Sequence, residues 1–137
     1  MRKIDKIIIH CSATPEGEDF TVAQIRDWHK QRGFVDIGYH YVVYRDGSVH
    51  AGRPLSQIGA HCKGQNAHSV GVCYIGGCPP RTVKGWQNHA KDTRTPAQKN
   101  ALRQLVADLR KQFPGAGVYG HYQFANKQCP SFKIEDI

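Results

Sequence analysis

The run Ile7-Ile8-Ile9, closed by His10, restricts the fold of this chain more than any other feature. Apolar residues that are continuous rather than alternating mark a buried strand, here expected over Ile4–His10. The rest of the chain carries signatures of further strands and of helices to cover them. Thr21-Val22-Ala23-Gln24 is a capping box, and the helix it opens places Val22, Ile25 and Trp28 on one face before Gly33 stops it. Tyr39–Tyr44 and Ser48–Ala51 are strand patterns around Asp46-Gly47, a two-residue hairpin signal. Val70–Ile75 is a second buried strand, ended by Gly76-Gly77, and Cys78–Arg94 is a long surface loop rich in Pro, Lys and His.

Thr95-Pro96-Ala97-Gln98 repeats the capping box with proline at the first helical position. Leu102, Leu105, Val106 and Leu109 continue that helix towards Phe113, where Pro114-Gly115 follows. Val118–His121 forms a short last strand, and Tyr122–Ser131 is loop. No repeat, low-complexity segment or linker interrupts the pattern. The expectation is an α/β fold: a single domain over residues 1–137, with a central mixed β-sheet flanked by helices.

Composition narrows the function classes. With 39% apolar and 22% charged residues the chain is not a disordered polymer. No apolar run approaches the roughly 18–20 residues that span a bilayer, so no stable membrane insertion is expected. The start, Met1-Arg2-Lys3-Ile4-Asp5-Lys6, carries charge inside a very short apolar stretch and does not resemble a signal peptide. The balance of 19 basic and 11 acidic residues, +8, suits an anionic partner such as nucleic acid, lipid headgroups or cell wall, but equally a merely soluble surface. The basic residues are scattered and no nucleic-acid motif stands out, so a nucleic-acid role rests on net charge alone. Five cysteines, at 11, 62, 73, 78 and 129, cannot pair completely, and the absent signal peptide agrees with synthesis in a reducing compartment.

His10, His121 and Cys129 carry the chemistry. Two imidazoles and a thiolate suit a borderline-soft ion such as zinc, and three protein ligands leave a fourth tetrahedral position open, the catalytic arrangement. The separation of His121 from Cys129 is not a zinc-finger spacing, and His10 lies far away in sequence. A histidine closing an apolar strand is by itself most often a hydrogen-bonded structural residue. The layout improves the case: both histidines end predicted strands, where neighbouring strands converge at a sheet rim, and Cys129 follows on the next loop.

Several linked motifs then appear in order. Ile7-Ile8-Ile9-His10-Cys11-Ser12-Ala13-Thr14 is followed by Arg26-Asp27-Trp28-His29-Lys30, Asp36-Ile37-Gly38-Tyr39-His40 and Arg45-Asp46-Gly47. Gly59-Ala60-His61-Cys62-Lys63-Gly64, Ser69-Val70-Gly71-Val72-Cys73, Thr95-Pro96-Ala97-Gln98 and Cys129-Pro130-Ser131-Phe132 complete the set. Over nearly its whole length the chain resembles the zinc-dependent N-acetylmuramoyl-L-alanine amidases of the type-2 amidase and peptidoglycan-recognition-protein superfamily. Many relatives carry aspartate at the third ligand position, so Cys129 points to the T7 lysozyme-like branch. The resemblance implies Zn²⁺ on His10, His121 and Cys129, Tyr39 and Lys127 as the catalytic pair, and departures confined to loops such as Cys78–Arg94. It implies a peptidoglycan (muropeptide) substrate cut between N-acetylmuramic acid and L-alanine, by a monomer that needs no nucleic acid. With no signal peptide, such an enzyme is expected to be stored in the cytoplasm and released to the wall by another agent.

Other readings stand beside these. Without the resemblance Lys127 is a solvated loop lysine. Tyr39 and Tyr41 share a strand face by period-2 alternation, so either could be a core aromatic. His61 and His68 are expected as loop histidines rather than cleft residues, and His29, His50 and His89 as surface residues. Two other functional classes remain: a non-catalytic peptidoglycan-binding module on the same fold, and a cysteine hydrolase using Cys11 or Cys129.

Overall fold

A computed structural model describes all residues, Met1–Ile137. Its strands are β1 (Lys6–Cys11), β2 (Thr14–Pro15), β3 (Tyr41–Val43), β4 (Val49–Ala51), β5 (Ser69–Tyr74), β6 (Gly77–Cys78) and β7 (Gly117–Gly120), and its helices are α1 (Val22–Gln31) and α2 (Pro96–Gln112). Five strands form one mixed sheet in the order β4-β3-β5-β1-β7, and β2 pairs with β6 apart from it. β1 runs parallel to both neighbours, with His10 opposite Cys73 of β5 and Ile9 opposite Gly120 of β7. Only β4 is antiparallel, through its hairpin with β3. No helix is long and apolar enough to cross a membrane.

The unbroken isoleucines are explained by cover on both faces of the sheet. Ile7, Ile9 and Cys11 join Val43, Val70, Val72 and Tyr74 against Leu102, Val106 and Leu109 of α2. Ile8 and His10 point the other way by strand alternation, towards the side where Ile25 of α1 packs with Ile37, Val42 and Ile75. Ile7, Ile8 and Ile9 are wholly buried, each contributing about 1.5–3 kcal/mol relative to an exposed side chain. The central strand is therefore held by packing on both faces up to His10, the candidate ligand.

Both capping boxes form as the sequence demands. That of α2 does more than cap. Gln98 accepts from the Thr95 amide at 2.9 Å, while its wholly buried Nε2 donates to Ile75 O at 3.0 Å and Val43 O at 3.3 Å. One side chain thus ties the helix start to the ends of β3 and β5. Gln98→Ala is expected to destabilise by about 2–4 kcal/mol, measured by urea unfolding, because it strands buried backbone carbonyls and removes half of the cap.

Two local expectations need correction. The hairpin turn has three residues, Arg45-Asp46-Gly47, with Tyr44 N–H donating to Ser48 O at 2.9 Å and Gly47 at φ +87°. A type I turn followed by a left-handed glycine accommodates the Asp-Gly pair as well as the shorter turn does. Tyr39 lies outside β3, which begins at Tyr41, so alternation does not extend to it. Tyr41 packs against the α2 core and Tyr39 against the cluster on the opposite face.

Candidate active site

The C-terminal ends of β1 and β7 deliver two imidazoles side by side. His10 is the fifth residue of β1, and His121 opens a short 3₁₀ turn, His121–Gln123, directly after β7. Because the two strands are parallel neighbours, their side chains meet at one rim, with ring centroids 4.6 Å apart. Cys129 arrives on the following loop. That loop is tied down by Tyr122 N–H to Cys129 O at 2.9 Å and by the Tyr74 hydroxyl to Pro130 O at 2.7 Å. The donor atoms of His10, His121 and Cys129 all lie within 4.8 Å of one another.

This set fits a tetrahedral zinc ion. Cys129 Sγ lies 3.8 Å from His10 Nδ1, close to the roughly 3.6 Å that zinc–sulfur and zinc–nitrogen bonds at a tetrahedral angle impose. The Cys11 backbone N–H donates to the same sulfur at 3.2 Å, support suited to a thiolate. Burial, then the charges of His61, His121 and Lys127, hold His10 well below the ordinary histidine value; burial and Lys127 lower His121. Both are therefore neutral at pH 7, as ligands must be. The hydrogen bond to Cys11, then burial, raise the Cys129 thiol; a divalent cation reverses this, since a coordinating thiol is deprotonated outright.

The three residues sit in a cleft of about 900 Å³ that Tyr39 and Lys127 also line. The Tyr39 ring is 5.2 Å from that of His10, and Arg53 N–H donates to Tyr39 O at 2.9 Å, fixing its backbone. Burial and the neighbouring Cys73, Cys129 and Cys11 thiols raise its phenol well above the ordinary value, so at neutral pH it is a hydrogen-bond donor. Lys127 is exposed in the cleft wall. Arg32 and Lys63 line the same cleft and no carboxylate does.

Two histidines expected outside the site belong to it. His61, expected as a loop residue, is buried, with Nδ1 at 2.8 Å from His10 Nε2. His29, expected at the surface, is buried in the cleft wall, where its Nδ1 accepts from Gly38 N–H at 2.8 Å. Helical periodicity does mark His29, which follows Ile25 by four residues on the face that α1 buries while Trp28 is exposed; His61 sits in a loop, where the Gly59-Ala60-His61 motif was the only signal. His50 is half-buried and stacks on Tyr44 with centroids 3.6 Å apart, whereas His68 and His89 are exposed as expected. All five cysteines are free.

The buried imidazoles make the fold acid-sensitive. Burial, then the charges of His40, His121 and neighbouring arginines, push His61 down to about 3. Between its ordinary value, about 6.5, and that folded value, the unfolded chain binds the proton and the folded one does not, so stability falls as pH falls. His61 alone removes about 1.4 kcal/mol per pH unit in that window, and fully buried His10 acts in the same direction. Urea unfolding of chelator-treated protein at pH 7.5, 6.5 and 5.5 is expected to show little change over the first step and a marked loss over the second.

A mixed sheet with helices on both faces and a His-His-Cys cluster at its rim defines the class: a single α/β domain built around a candidate metal centre. Residues 1–132 match the family described as N-acetylmuramoyl-L-alanine amidase, and the chain belongs to it. It is 43% identical to an endolysin of Klebsiella phage KP32 (98% of this chain, 85% of the relative). It is 40% identical to an endolysin of Escherichia phage T7 (96% and 83%). Among solved structures it is similar to the N-acetylmuramoyl-L-alanine amidase LysC from Clostridium intestinale, with TM-score 0.80, 26% identity, and 97% and 80% of the two chains covered. Drosophila PGRP-LB is also similar, with TM-score 0.77, 28% identity, and 95% and 76% covered.

Proposed function

We propose that the whole chain acts as one catalytic domain, a zinc-dependent endolysin-type amidase. It hydrolyses the amide between the lactyl group of N-acetylmuramic acid and L-alanine in peptidoglycan. The observation that carries this is the convergence of His10, His121 and Cys129 beside Tyr39 and Lys127 in one cleft. His10 through Nδ1, a ring nitrogen of His121 and the Cys129 sulfur would hold the metal. A zinc ion in that set supplies Lewis acidity for the carbonyl and brings a water from a pKa of about 15.7 towards 7.

The residues around it divide the remaining work. Tyr39, protonated at neutral pH, donates a hydrogen bond to the substrate carbonyl oxygen and orients it. Lys127, whose charge is felt at both His10 and His121, stabilises the negative charge that develops on that oxygen. Water adds to the carbonyl carbon and the carbon–nitrogen bond breaks: the water oxygen stays on the lactyl group, which ends as a carboxylate, and both water protons pass to the departing L-alanine nitrogen, which ends as an ammonium. Cations of Arg32, Lys63 and Lys127 without opposing carboxylates suit a stem peptide that carries free carboxylates. Storage in the producing cell and action at the wall after release follow from the endolysin reading.

Turbidity loss on purified peptidoglycan, with mass analysis of the products, tests this. The expected products are stem peptides with a free L-alanine amino terminus and intact glycan strands. Activity is expected to vanish with a chelator and return with Zn²⁺. New reducing sugar ends, or no cutting despite tight wall binding, would overturn the reading, the latter in favour of a binding module. Full activity in exhaustively chelated protein would revive a cysteine hydrolase. For Cys11 in that role, the hydrogen bond with Cys129, then the one with Ser131, outweigh burial and lower its thiol to about 7, but no imidazole hydrogen-bonds its sulfur to act as the base.

A further inference from the structure

His61 is the least expected member of this site, and four contacts define its place. Its Nδ1 lies 2.8 Å from His10 Nε2, and its Nε2 lies 3.2 Å from Ser69 Oγ. Its backbone is clamped by Asn66, whose Oδ1 accepts from His61 N–H at 2.9 Å and Cys62 N–H at 3.0 Å. Its ring lies over Gly71 of β5, where an added Cβ would stand 2.6 Å from ring carbons. The imidazole thus occupies a seat in the sheet face that a side chain at position 71 would fill. His10 and His61 meet edge to face, with an interplanar angle of 88°.

Resting on the zinc reading above, we infer that His61 is a positioning residue for the metal centre: it accepts the Nε2–H of His10 and holds that ring with Nδ1 unprotonated towards Cys129 and His121. A metal held at His10 Nδ1 leaves one proton arrangement. His10 Nδ1 faces Cys129 Sγ at 3.8 Å and is the nitrogen available to a metal, so the proton of the neutral ring sits on Nε2. His61 must then accept at Nδ1 and carry its own proton on Nε2, which donates to Ser69 Oγ. The chain His10–His61–Ser69 is directed from the metal side into the sheet.

Ligand histidines ordinarily donate their second nitrogen to a carboxylate, carbonyl or water, and loss of that partner weakens metal binding about 10–100-fold. Here the acceptor is a neutral imidazole, which fixes the ring without adding negative charge to the cleft. His61 touches neither the reacting atoms nor the metal in this scheme; it acts through His10.

Zinc affinity by competition with a chromophoric chelator, and long-range ¹⁵N–¹H NMR of the histidine rings in the apoprotein, read this out without peptidoglycan. Wild-type apoprotein is expected to show His10 and His61 both as Nε2–H tautomers. His61→Phe keeps an aromatic ring but no acceptor, and is expected to weaken zinc binding about 10–100-fold and to release the His10 tautomer. His61→Asn places an amide oxygen near the former Nδ1 and is expected to recover most of the loss. Wild-type zinc affinity in His61→Phe, or equal weakening in the Phe and Asn variants, overturns the inference. If His61→Phe does not fold, the wild-type tautomer decides, and Nδ1–H on His10 overturns it. A chain that holds zinc in this way yet leaves the muramyl amide intact would overturn the proposed function and leave this inference standing.

Discussion

Cys129→Ser is expected to abolish stoichiometric zinc binding and, with it, peptidoglycan cutting, while Cys11→Ser keeps both. A serine hydroxyl is harder and far less acidic than a thiol, so it cannot replace a thiolate against a borderline-soft ion. It also reaches less far, and the other donors are held by strands that do not move to meet it: His10 on β1 and His121 at the end of β7. Cys11 is different. What it gives Cys129 that a metal-loaded site needs is its backbone N–H, at 3.2 Å, which substitution leaves in place. Its own sulfur packs in the α2 core, contacts Ser131 and hydrogen-bonds the Cys129 sulfur, a contact that a serine hydroxyl can also make. Metal analysis and thermal unfolding with and without zinc separate the two variants. Free zinc at a hundred times its dissociation constant stabilises a binding protein by about 2.7 kcal/mol, a Tm rise on the order of 10 °C. Wild type and Cys11→Ser should show that rise. A zinc-dependent rise in Cys129→Ser, with one ion per chain, would remove Cys129 from the ligand set.

Lys127→Ala and Tyr39→Phe are expected to keep zinc and wall affinity and to lose turnover. A charge on the carbonyl oxygen exists only in the transition state, so groups that answer it act on kcat and not on ground-state binding. For Lys127 the loss should be on the order of 10²–10³, the effect of removing one oxyanion donor elsewhere. Tyr39→Phe deletes one hydroxyl and leaves packing nearly intact. Tyr41→Phe is the control, since Tyr41 packs against the α2 core, on the other side of the sheet from Tyr39. Metal content, pull-down on insoluble peptidoglycan and turnover, measured on the same preparations, keep the effects apart. Wild-type rates in both Lys127→Ala and Tyr39→Phe would remove these residues from the chemistry.

Much of the architecture was legible because it is written in local chemistry. The isoleucine run, the two capping boxes and the α2 stripe each state a periodicity or a hydrogen bond within a few residues, and all appear as expected. Boundaries were less so. Whether the Asp-Gly turn takes two residues or three depends on how β3 and β4 pair, and whether Tyr39 belongs to the strand depends on where pairing with β5 begins.

The candidate metal set was legible for a different reason. Side chains that leave the C-terminal ends of two parallel strands converge when those strands are neighbours; the sequence placed both histidines at strand ends, the resemblance implied the ligand set, and the pairing of β1 with β7 brings them together. By itself the sequence determined the order of the five main-sheet strands and two helices, though not the small β2–β6 pair, together with the buried central strand and the three residues able to hold a metal. Only the tertiary structure decided which further groups stand behind them. His61 lies on a loop, where no periodic pattern speaks for burial, and His29, although in step with Val22 and Ile25 on α1, shows its role only through what it touches. Their partners, Gly38, His10 and Ser69, were connected to them only when β1, β5 and the intervening loops packed together. A hydrogen bond between side chains 51 residues apart has no local signature, because its energy exists only once both groups have left water in the same place.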